Sequence, residues 1–172
     1  MSAQPDMLVV GAGNEYMGDD GAGIAVVAAL EQMACPHLNT FQCGTDLFRL
    51  ATVDRFYSHV LIVDAVRTGD PPGSIHWFAP CHAHRFRKSG SVHQLSLLEI
   101  LSLLPLMTAL LETTEFSLVG IEPGPLRTER RLSPPVAAAV RQVTRDLRTP
   151  HGTAAVIRRC RREREASAAG DS

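Results

Sequence analysis

Five short apolar runs, at 8–10, 38–43, 59–64, 74–78 and 116–121, recur along the chain at the spacing of an alternating α/β protein, and each reads as a strand. Helical periodicity fills most of the intervals, over 21–33, 46–53, 94–111 and 134–147. Pro134 and Pro135 suit a first helical turn, where a missing N–H is no loss. Pro105 falls inside the helical stretch 94–111 and is a candidate break. The turn Asp70-Pro71-Pro72-Gly73 precedes the run at 74–78, which is therefore expected to be short and to lie at a sheet edge. From Arg148 onward the apolar pattern weakens and Ser, Ala and charge take over, which predicts a charged flexible tail over 148–172.

A length of 172 residues with 45% hydrophobic composition is enough for one compact α/β domain with a proper core, set at 7–147, and too short for two ordinary ones. The formal net charge of -1 gives no global field favouring nucleic acid, and the basic run 158–164 reads as part of the solvated tail. Cys35, Cys43, Cys81 and Cys160 form no C-x-x-C pair, which suits a reducing compartment better than a disulfide framework. The polar start runs directly into the first strand without a signal-peptide pattern, and the apolar run 95–111 is interrupted by Glu99 and Pro105. A cytoplasmic protein without membrane insertion is the expectation.

The chemistry concentrates where the first strand empties into a loop with glycines at 11, 13, 18, 21 and 23. A dinucleotide fingerprint fails here, because Tyr16 stands where the third glycine belongs and Asp19 and Asp20 would face the phosphates. A Walker A loop is excluded because no Gly-Lys-Ser/Thr follows. Two readings of the acids remain: one of them caps the following helix, or one caps while the other serves as a ligand. A third acid, Asp64, ends the nearly continuous apolar run 59–63, as a central parallel strand would deliver it to the sheet's carboxyl edge. It could merely start the next turn by bonding backbone N–H groups. His93 stands at the entrance of the helical pattern and would complete a two-carboxylate, one-histidine site with open positions for a divalent ion.

Rival chemistries are weaker. Cys81-His82-Ala83-His84 lacks the second ligand pair that a structural zinc site needs, so 79–91 is expected to be a mobile flap beside the cleft. No Gly-x-Ser-x-Gly elbow occurs. Cys43, at a strand end, is the least poor cysteine nucleophile, against the plainer reading of a small half-buried residue.

Taken in order, the blocks 11–23, Gly44-Thr45, Leu61-Ile62-Val63-Asp64-Ala65, His93-Gln94-Leu95 and Leu118-Val119-Gly120-Ile121-Glu122-Pro123 closely resemble the hydrogenase maturation endopeptidases. The resemblance covers 7–147. It implies a single α/β domain of the phosphorylase/hydrolase-like kind, with a central, mostly parallel sheet flanked by helices. It also implies an aspartyl-type endopeptidase that removes the C-terminal extension from the precursor of a [NiFe] hydrogenase large subunit. By resemblance, Asp20, Asp64 and His93 are the catalytic and metal-contacting trio, and the nickel arrives already bound in the precursor. Gly44 and Thr45 are implied in substrate binding, and a monomer is expected. One departure concerns the segment Gln42-Cys43-Gly44-Thr45, where the family often has an acid and two glycines before the threonine. The rival function is a non-enzymatic nickel-sensing or chaperone-like binder of the same precursor.

Overall fold

In a computed structural model that describes residues 6–78 and 97–170, five strands form one sheet: β1 (Met7–Ala12), β2 (Asn39–Gly44), β3 (His59–Ala65), β4 (Ile75–Phe78) and β5 (Glu115–Ile121). Their spatial order is β2-β1-β3-β5-β4. All pairings are parallel except β4 with β5, which is antiparallel, so the short strand after the Pro-Pro turn closes one edge as expected. The chain leaves β1 toward one side of the sheet and later returns on the other side as β3. This puts a topological switch point between β1 and β3, where an open α/β sheet has its crevice.

The central strands are buried on both faces, and their alternation divides the core. Val9, Leu61 and Val63 face α1 (Ala22–Met33) and α3 (Pro134–Leu147), whereas Leu8, Val10, Val60 and Ile62 face α2 (Leu97–Met107) and the 3-10 helix Leu47–Thr52. On α3 the spacing of Val136, Ala139, Val140, Val143 and Leu147 is one helical stripe, all of it buried. The start predicted at 46 is met by Asp46, whose carboxylate accepts from the Phe48 N–H at 3.0 Å.

Two expectations change. Pro105 does not break α2, which runs to Met107 with the proline in its last turn, followed by a separate 3-10 turn at Ala109–Leu111. Residues 150–170, placed in a flexible tail by their charge, form a helix, α4 (Pro150–Gly170). Thr153, Val156 and Cys160 make a buried stripe along the helix, and Val156 and Cys160 share a core with Trp77 of β4. The Thr153 hydroxyl donates to the Leu147 carbonyl at 2.9 Å, and the Arg161 Nε donates to Glu115 at 2.8 Å, which pins the helix to α3 and to β5. Among the described residues, no helix is long and apolar enough to cross a membrane.

Candidate active site

The site is built where β1 and β3 end. Helix α1 approaches them closely because Gly23 has no side chain: a Cβ there would lie 2.1 Å from the Val63 carbonyl oxygen and 2.5 Å from that of Ala12. This close seating brings the loop between β1 and α1 down onto the carboxyl edge. Gly13 occupies its centre with φ +116°, and a Cβ on it would stand 1.9 Å from the Asp20 carbonyl oxygen and 3.6 Å from Asp64 Oδ1. The backbone carbonyl of Asp20 and the carboxylate of Asp64, 44 positions apart in the chain, thus both lie beside one glycine at the switch point.

Each carboxylate has a backbone donor. The Asn14 N–H donates to Asp20 Oδ2 at 2.9 Å, and the Ala65 N–H donates to Asp64 Oδ1 at 2.9 Å. Asp64 is buried and Asp20 half-buried. Bonding of Asp64 to the next N–H agrees with the turn-starting reading, and its carboxylate also lies beside Gly13. The helix-capping reading of the acid pair is corrected, since neither the 3-10 turn Gly18–Gly21 nor α1 has a side-chain cap.

Asp19 takes a different part. It is buried, and its carboxylate accepts from the Gly124 N–H at 2.9 Å, the Ser133 N–H at 2.6 Å and the Ser133 hydroxyl at 2.8 Å. Glu122, directly after β5, is equally buried and accepts from the Thr68 N–H at 2.6 Å and the Thr68 hydroxyl at 2.8 Å. Sequence reasoning offered Asp19 only as one of a capping or ligand pair and gave Glu122 no role. The available signal was Glu122 itself, an acid following an apolar strand that enters the sheet's carboxyl edge.

Gly44 lies against this loop, its carbonyl accepting from the Gly13 N–H at 2.9 Å, and Thr45 beside it is exposed. Gln42, where the resembling family often has an acid, donates from its side chain to Glu31 of α1 at 2.9 Å, and Thr40 donates to the same carboxylate at 3.2 Å. An acid at 42 would face Glu31 with like charge, so the glutamine is matched to this helix. Cys43 is buried with its thiol donating to the Asp46 carbonyl at 2.9 Å, in keeping with the small-residue reading. His93 lies outside the described residues, as do Cys81, His82, His84 and the expected flap at 79–91. Among the described residues no three metal-donor side chains cluster, and of the expected trio only Asp20 and Asp64 are described.

Known proteins agree with this architecture. A family model described as hydrogenase maturation protease matches residues 24–148. The solved structure of the [NiFe] hydrogenase maturation protease HybD from Thermococcus kodakarensis is 28% identical and superposes with a TM-score of 0.68, covering 81% of this chain and 94% of that one. The hydrogenase expression/formation protein HupD of Thiocapsa roseopersicina is 28% identical over 153 residues, which span 81% of this chain and 68% of that protein. A putative hydrogenase maturation protease of Methanocaldococcus jannaschii is 36% identical over 73 residues, 41% of this chain and 47% of the relative, so that match spans under half of the relative's length.

Proposed function

The chain belongs to the hydrogenase maturation protease family, and from that premise we propose that it is the endopeptidase that removes the C-terminal extension of a [NiFe] hydrogenase large-subunit precursor. The observation that supports the reading is the placement of Asp20 and Asp64 on two loops at the switch point, with the Asp20 backbone carbonyl and the Asp64 carboxylate both beside Gly13. The nickel ion belongs to the substrate: it arrives in the precursor, and Asp20, Asp64 and His93 contact it there. Two carboxylates and an imidazole suit such a borderline divalent ion and leave coordination positions for the substrate.

A divalent ion held by Asp20, Asp64 and His93 would polarise the scissile carbonyl and lower the pKa of a bound water, with a carboxylate of the trio as acceptor for the water's proton. The backbone bonds that Asp20 and Asp64 receive fix the carboxylates in place before substrate arrives, which reduces the ordering cost of forming the complex. Gly44, whose carbonyl accepts from the Gly13 N–H, and its neighbour Thr45 are the residues this reading assigns to binding of the extended substrate peptide.

The test mixes the protein with nickel-loaded and nickel-free precursor and follows the extension by mass. Removal from the loaded precursor alone is expected. Equal cutting of both would overturn the role of nickel, and binding of the loaded precursor with the extension left attached would identify a binder rather than a peptidase.

A further inference from the structure

The two acid-bearing loops are joined through a third segment. Residues 122–124 leave β5 on the far side of β3 from β1, and the backbone of Glu122 is held on both sides, its N–H donating to the Ser74 carbonyl at 2.9 Å and its carbonyl accepting from the Gly73 N–H at 2.8 Å. From this anchored position the segment reaches in two directions. Toward the β1 loop, the Gly124 N–H donates to Asp19 Oδ2 at 2.9 Å, one residue before Asp20. Toward the β3 loop, the Glu122 carboxylate takes the Thr68 N–H and hydroxyl, four residues after Asp64, and the Gly124 carbonyl accepts from Arg67 Nη2 at 3.4 Å.

Two buried carboxylates are costly unless their hydrogen bonds are complete, and each of these has at least three donors from a loop other than its own. Such a bridge exceeds what is needed to hold either loop alone. We propose that residues 122–124, with Asp19, form the positioning element of the site: Asp19 and Glu122 set the separation of Asp20 and Asp64 without touching the substrate. The proposal rests on the peptidase reading for its consequence in catalysis, and on the bonds above for its structural content.

The test compares wild type with Asp19→Asn, Glu122→Gln, Glu122→Ala and the double variant Asp19→Asn/Glu122→Ala, using native-state hydrogen exchange by NMR beside processing kinetics. Exchange is read at the Asn14 and Ala65 amides, which bond to Asp20 and Asp64 and touch neither Asp19 nor Glu122. Protection at both amides is expected to fall about tenfold or more in Asp19→Asn and in Glu122→Ala, non-additively in the double variant, with partial recovery in Glu122→Gln. Extension removal should slow about 10- to 100-fold with KM unchanged, as for other groups that orient a site from behind. Loss of protection confined to the Thr68, Gly69 and Gly124 amides, with Asn14 and Ala65 as in wild type, would overturn the proposal. Failure of the wild type to cut loaded precursor would instead count against the peptidase reading, and the exchange data would still decide the positioning role.

Discussion

At the carboxyl edge of the sheet, buried carboxylates are met largely by backbone N–H groups; at the amino edge, ionisable side chains meet each other. Asp20 and Asp64 each take a main-chain donor, and Asp19 and Glu122 take two apiece. At the opposite edge His59, at the start of β3, sits with Nε2 3.1 Å from the Ser117 hydroxyl and Nδ1 3.6 Å from Glu115, whose carboxylate is bound in turn by Arg161 of α4. Burial holds the His59 pKa below its ordinary value, outweighing the pull of Glu115, so the contact is between a neutral ring and a carboxylate. Main-chain donors are fixed by the fold and cost no side-chain entropy, which suits an edge that must hold charge at a set geometry. Side-chain pairs such as Glu115 with Arg161 dock a helix and tolerate looser placement. The amino edge thus docks a helix, and the carboxyl edge holds the carboxylates that the proposed function uses.

The comparison breaks most readily at Gly13. An alanine there would have to adopt φ +116° and would place a methyl against the Asp20 carbonyl, so Gly13→Ala should destabilise the fold by about 3 kcal/mol or more, measured by urea unfolding. A loss under about 1 kcal/mol would show that the loop yields freely and that its geometry is not fixed by packing.

A smaller effect sharpens the contrast at the amino edge. Since the folded-state pKa of His59 lies below 6.5, stability owed to its neutral ring is fully present above pH 6.5 and is lost as pH falls through the folded value. Thermal midpoints of wild type should decline below pH 6.5, and His59→Gln should show a shallower decline over the same range. Identical slopes would remove His59 as the source.

Much of this division was legible in the sequence because it rests on local pattern. The apolar run ending in Asp64 gave β3, the Pro-Pro-Gly turn gave an edge strand, and the double proline gave the start of α3 at Pro134. The glycine spacing and the acid ending β3 pointed to the carboxyl edge, where the Asp20 loop and Asp64 both lie beside Gly13. What escaped was long-range or hidden by averaging. Asp19 bonds to groups 105 and 114 positions away, which no local signal announces. The stripe of Thr153, Val156 and Cys160 in α4 is outweighed by surrounding arginines when composition is averaged, although its spacing of three and four is helical. Pro105 lay close enough to the helix end for the last turn to absorb it.

The central claim is that Asp20 and Asp64 act as one unit on one substrate. Its most direct test is the rate of extension removal from nickel-loaded precursor by Asp20→Asn, Asp64→Asn and the double variant, with circular dichroism confirming that each is folded. Groups acting together are not additive, so each single change should slow removal by at least about 100-fold, and the double change should cost little more than either. A folded single variant that processes the precursor at the wild-type rate would contradict the claim.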